Sequence, residues 1–272
     1  MTNRFRHSFW AVLCFLPVCL SMKSDLRDEK PPVDNTALHV VILGDSNSSI
    51  GGDDCDRPEG WTKWFCDCFL PASCHSYARS GATWTHTPNT VRDELLNTSK
   101  LHNNNVVYNQ VCRLLTAFRQ GQQPKPDIII IAAGTNDAWF AKRRPHALNQ
   151  KEAADTTGLL QRQPCALLTL SDAVCYNCLL LQRHFPEACI VLLTPMQCTA
   201  TSEQRIKTTG DIIANCAEAL RLPCIRQDSL CCLIRSDELK QHRYTVDGIH
   251  TNAAGAEING QRLCESINGL LR

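Results

Sequence analysis

This 272-residue chain lacks the features that would place it in a membrane or on nucleic acid. No apolar run reaches the about 20 residues a transmembrane helix needs; the run from Phe9 through Leu20 falls short. Neither sign of charge is in excess: 28 Lys and Arg stand against 27 Asp and Glu, a net charge of +1. There is no dense basic stripe either, so nothing points to a nucleic-acid partner. Internal repeats and low-complexity tracts are missing too. What remains is a globular reading. A 43% hydrophobic fraction and this length suffice for one sizeable α/β domain.

Cysteine is abundant at 17 residues, but the paired spacing of a metal site is not. The close pairs are Cys66-x-Cys68, Cys175-x-x-Cys178 and Cys231-Cys232. Only Cys175 and Cys178 stand at zinc-ligand spacing. They fall in the apolar helical run from Leu167 to Leu181, where cysteine serves as a small buried hydrophobe. Core packing is therefore expected there rather than a metal. Setting aside Cys14 and Cys19 near the N-terminus leaves fifteen, an odd number that cannot pair completely.

The first residues differ from the rest. Arg4, Arg6 and His7 precede the Phe9–Leu20 run, the pattern of a signal peptide. The expected organisation is a signal over 1–24, a polar tether over 25–36 containing Pro31-Pro32, and a folded domain over 37–272. A buried N-terminal helix is the competing reading. Leu16-Pro17-Val18-Cys19 is an imperfect lipobox, with Val18 fitting poorly. A lipid anchor on Cys19 would be the chain's one route to a membrane. Export, to the periplasm, the medium or the envelope surface, would permit disulfides.

Along the domain, apolar strands alternate with helical periods. Leu38–Leu43, Ser73–Tyr77, Asp127–Ala133, Cys189–Thr194 and a weaker Cys224–Ile225 read as strands. Helices are expected from Trp61 to near Pro71, then over Pro88–Asn97, Val106–Gln120, Leu167–His184, Thr201–Leu220 and Asn252–Leu271. Residues 141–164 read as a polar insertion that could meet substrate. The alternation predicts a parallel sheet covered on both faces.

Three of the strand ends carry polar loops: Gly44-Asp45-Ser46, Ser80-Gly81 and Gly134-Thr135-Asn136-Asp137. In open parallel sheets, ligands bind at these carboxyl ends. A fourth block, Asp247-Gly248-Ile249-His250, precedes the last helix. Acyl transfer by a serine needs a base, an acid to hold the imidazole, and donors for the developing oxyanion. Asp247 and His250, three apart, fall on one side of a turn or of a first helical turn. Ser46 would be the nucleophile. The N–H groups of Ser46 and Gly81 and the Asn136 amide would be the oxyanion donors. Each piece alone has a bland alternative: a turn, a helix cap, a surface pair, a pair of metal ligands. Order and placement together favour the catalytic one.

The set resembles the SGNH hydrolase superfamily, the GDSL-type esterases and lipases, over about residues 38–270. The resemblance implies a flavodoxin-like three-layer α/β/α fold with a central parallel sheet. It implies Ser46 as nucleophile, His250 as base and Asp247 as its orienting acid, with Ser46, Gly81 and Asn136 as the oxyanion hole. It implies no metal and no cofactor. Asn47 departs from the leucine of the family name. No Gly-x-Ser-x-Gly occurs, against the α/β-hydrolase fold. The expected activity is that of an exported serine esterase on a small-molecule or glycan ester, with acetyl on a carbohydrate favoured. A lipid or thioester hydrolase, or a non-catalytic glycan-binding protein on this fold, are the alternatives. Trp139 and Phe140 are candidates for a substrate pocket or for ordinary packing, as are Trp84 and His86. Arg143 and Arg144 read as solvated or as contacts for an anionic substrate. Asp45 reads as a loop-organising residue. Asn47-Ser48-Ser49 and Asn97-Thr98-Ser99 match the glycosylation sequon.

Overall fold

Five short strands pair side by side, all parallel, in a computed structural model that describes residues 34–150, 152–230 and 233–272. The expected signal, the anchor at Cys19, most of the tether and the Cys231-Cys232 pair lie outside these residues. The strands are β1 (His39–Gly44), β2 (Ser73–Ser76), β3 (Ile128–Ala132), β4 (Cys189–Leu193) and β5 (Cys224–Ile225). Their order is β2-β1-β3-β4-β5, the flavodoxin-like doubly wound order. Runs such as Val40-Val41-Ile42-Leu43 and Ile128 to Ile131 are apolar throughout because both faces of the sheet are covered.

Alternate residues feed two cores. Val41, Leu43, Ile129, Ile131 and Leu192 meet α3 (Val107–Arg119), α5 (Leu170–His184) and α6 (Glu203–Ala219) on one face. Val40, Ile42, Ile128, Ile130, Val191 and Leu193 meet α2 (Trp61–Phe69) and α9 (Ala253–Leu271) on the other. This is the expected three-layer sandwich. A disulfide between Cys68 and Cys264 joins α2 to α9. Cys175 and Cys178 are fully buried in α5.

The expected helix over Pro88–Asn97 does not form. Side chains from the following segment take its backbone groups instead. Asn104 Oδ1 accepts from the Val91 N–H at 3.0 Å, Asn109 Oδ1 from the Asp93 N–H at 2.9 Å, and Asn109 Nδ2 donates to the Val91 carbonyl. Such bonds offer the backbone an alternative to helix. Residues 141–164 form turns with short 3₁₀ pieces, among them Ala141–Arg143 and Leu159–Gln161. Four short helices escape the sequence periodicity: α1 (Ser46–Ser49), α4 (Thr135–Trp139), α7 (Gln227–Leu230) and α8 (Arg235–Gln241). Two of them, α1 and α4, carry proposed site residues.

Candidate active site

The strand order reverses direction beside β1, so the crevice between the ends of β1 and β3 is the expected ligand position. The two ends are held closely. The Asp45 N–H donates to the Ala132 carbonyl at 3.1 Å, and a Cβ on Gly44 would stand 2.3 Å from that oxygen. Only glycine fits there. The buried Gln110 amide grips Gly44 from the other side, accepting from its N–H and donating to its carbonyl, each at 2.8 Å.

The chain then turns into α1, with Asp45 as the N-cap accepting from the Asn47 N–H. Ser46 is the first helical residue, a position whose N–H has no intrahelical acceptor. Asp45 is fully buried, which pushes its carboxyl up to about 6 against the pull of the Asn47 N–H, the Thr135 hydroxyl and nearby His250.

Gly81 turns with φ of +77°, and a Cβ there would meet the Lys100 carbonyl carbon at 2.6 Å. Asn136, on α4, donates one amide hydrogen to the Ala82 carbonyl at 2.9 Å. That bond fixes the amide beside the Gly81 loop and leaves its second hydrogen for another acceptor. Asp137 is a buried tether between the same two segments. It accepts from the Trp84 N–H at 3.0 Å, the Thr85 N–H at 2.9 Å and the Thr85 hydroxyl at 2.6 Å. Burial nonetheless holds its carboxyl above the usual range.

Asp247 and His250 meet in a tight turn. Asp247 Oδ2 lies 2.7 Å from His250 Nδ1, while Oδ1 accepts from the Ile249 and His250 N–H groups at 3.0 and 2.8 Å. A carboxylate only accepts, so Nδ1 carries the hydrogen and Nε2 is left as the basic nitrogen. Burial pushes the Asp247 carboxyl up, but these bonds outweigh it and hold it below the ordinary value.

Two residues that spacing could not single out brace this loop. Glu238, fully buried on α8, accepts from the Tyr244 and Thr245 N–H groups at 2.9 and 3.1 Å and from the Thr245 hydroxyl at 2.5 Å. Asn47 spans from α1: its Nδ2 donates to the Ile249 carbonyl at 3.3 Å and its Oδ1 accepts from the Thr251 N–H at 3.2 Å. An amide between two peptide groups can do this and a leucine cannot. The same bonds bury Asn47, so the folded chain does not offer that sequon to a glycan. Asn97 of the second sequon is exposed.

Ser46, Gly81, Asn136 and His250 line one open cleft of about 410 Å³, with Trp139, Phe140, Lys100 and Arg143 at its walls. The Trp139 and Phe140 rings stack 4.8 Å apart, and Trp139 is exposed. Arg143 stands over the Phe140 ring. Other candidates are elsewhere. Trp84 is fully buried and donates to the Ala133 carbonyl. His86 is buried against the Pro164 carbonyl, and burial pulls its ring down to about 4. Arg144, expected to be solvated or at the substrate, is buried instead. It donates to the His102 carbonyl and lies near enough to Asp137 for their charges to interact.

Known proteins share this fold. Residues 42–258 match the model of the GDSL-like lipase/acylhydrolase family. Among solved structures, the M. smegmatis aryl esterase superposes with a TM-score of 0.52 at 18% identity, over 86% of this chain and 100% of that one. An Enterococcus faecalis lipase/acylhydrolase does so at 0.50 and 16%, over 86% and 96%. An acetyl xylan esterase does so at 0.50 and 14%, over 85% and 100%. A search of functionally curated proteins finds no match. With four-fifths of its length covered by the family model, the chain belongs to the GDSL-like lipase/acylhydrolase family.

Proposed function

We propose that the protein is a serine esterase in which Ser46, His250 and Asp247 form a catalytic triad. The observation that carries this reading is the shared cleft: Ser46 and His250 line it together, and Asp247 fixes the far nitrogen of the His250 ring. Ser46 Oγ attacks the ester carbonyl and gives its proton to His250 Nε2. The oxyanion that forms is met by the N–H groups of Ser46 and Gly81 and by the free amide hydrogen of Asn136. His250 returns the proton to the leaving alcohol, and an acyl-enzyme remains. Water, deprotonated by the same nitrogen, then releases the acid and restores Ser46.

A small acyl group on a polar acceptor, acetyl on a carbohydrate, suits this cleft best. Its walls combine polar and charged side chains with an exposed Trp139 ring, stacked on the partly buried Phe140, on which a sugar ring can lie. Export is part of the proposal and rests on the Arg4-to-Leu20 pattern. The test is hydrolysis of p-nitrophenyl acetate. Ser46→Ala should lose a factor on the order of 10⁴ to 10⁶ in kcat. Equal rates in the two proteins would end the serine mechanism. A series from acetyl to octanoyl esters separates acetyl preference, which should win, from a lipid or thioester hydrolase.

A further inference from the structure

Three cysteines that are scattered in sequence converge outside the catalytic cleft. Cys55 lies in the loop between α1 and α2, Cys66 on α2 and Cys74 on β2. They stand eleven and eight positions apart, so no paired-cysteine spacing announces them. Yet their three Sγ atoms lie within 4.8 Å of one another, with Cys74 and Cys55 at 3.6 Å. Three thiolates around one metal at about 2.3 Å would stand roughly 3.8–4.0 Å apart, so the 3.6 Å pair and the 4.8 Å limit on the group leave only small adjustments to close around an ion. A disulfide would need two of them at about 2.05 Å. Packing against the α2–α9 core accounts for part of the arrangement, since Cys55 lies in that core and Cys66 and Cys74 border it. Cys66 and Cys74 are only partly buried, and Cys55 adopts φ of +56°, a left-handed conformation that costs a non-glycine residue energy. No fourth His, Cys, Asp or Glu joins the group among the described residues. Cys74 also borders an open cleft of about 480 Å³, from which solvent can reach the cluster.

We propose that Cys55, Cys66 and Cys74 form a three-thiolate site for a soft d10 cation, Zn(II) or Cu(I). Thiolate sulfur selects these ions over hard cations. Binding forms three metal–sulfur bonds and releases the three thiol protons to solvent. Zn(II) would complete a tetrahedron with a solvent molecule, and Cu(I) would be satisfied by the three sulfurs. The metal would pin the α1–α2 loop and α2 to the edge strand β2, and so would stabilise the fold. The inference is independent of the role of Ser46.

The test uses the full chain, purified in reductant, stripped with chelator and titrated in separate arms with Zn(II) and, without oxygen, Cu(I). One arm should retain one equivalent through gel filtration and raise Tm. Co(II) in its place should give a near-ultraviolet sulfur-to-cobalt charge-transfer band. Cys66→Ser and Cys74→Ser should each weaken binding by more than the roughly 10- to 100-fold that outer-shell changes cost, while Cys165→Ser, at an exposed thiol outside the cluster, should not. Should the variants fail to fold, alkylation of the wild-type chain decides: bound metal should shield Cys55, Cys66 and Cys74 from iodoacetamide. The proposal is overturned by retention unchanged in both cluster variants, or by alkylation of all three cysteines at the same rate with and without metal. A disulfide between two of the three in the isolated protein overturns it equally.

Discussion

Asp45 shows how one buried carboxyl ties the site to pH. Its unfolded carboxyl titrates near 3.8, and burial lifts the folded one to about 6. Between those values the folded state holds the extra proton. Stability from this group is therefore fully present below about pH 4 and is lost as pH rises through 6, an effect of about 3 kcal/mol. Asparagine at 45 keeps an acceptor for the Asn47 N–H but never ionises. Asp45→Asn should match the wild type in thermal melts near pH 4 and exceed its Tm above pH 6. A Tm difference that stays constant across that range would show that Asp45 is not held neutral by burial.

Among elements, the join that matters is between α1 and the loop after α8. The nucleophile and base candidates belong to segments some two hundred residues apart, and the Asn47 amide ties them directly. Asn47→Ala leaves the buried Ile249 carbonyl and Thr251 N–H without these partners, a cost of about 1–3 kcal/mol. Loss of a brace on His250 should lower kcat with KM little changed. A variant with normal kcat and only a lower Tm would make Asn47 a purely structural residue. Nothing in the sequence could expose this bond, because pattern reading sees spacings of a few residues. The strands were legible, since the Ile128–Ile131 run and its relatives are long and apolar, and so was the Asp247–His250 pair, which closes within one turn. The one-turn helices α1 and α4 were not, because four or five residues hold no period. Nor was the loop at 88–97, where asparagines thirteen to eighteen positions further on override local propensity. Glu238, which bonds residues six and seven positions on, and the thiol cluster, whose members stand eight and eleven apart, join different segments, so no helical or strand period links them.

For the molecule as a whole, the Cys68–Cys264 disulfide links residues 196 positions apart and locks α2 to α9. A cross-link over so long a loop restricts the unfolded chain most and is worth about 2–4 kcal/mol. Cys68→Ser should lower Tm by roughly 5–15 °C in a domain of this size, read by circular dichroism without reductant. A shift near zero would mean that the α2–α9 packing holds without it. The placement of the two ends has a consequence in time as well as in space. The serine precedes the aspartate–histidine turn by some two hundred residues, so a growing chain carries the hydroxyl before it carries the base candidate. On the reading proposed above, hydrolysis can begin only once the C-terminal segment has come back to the first strand. Turnover then reports the closing of that turn onto the first strand, and a chain made only as far as α8 is chemically silent.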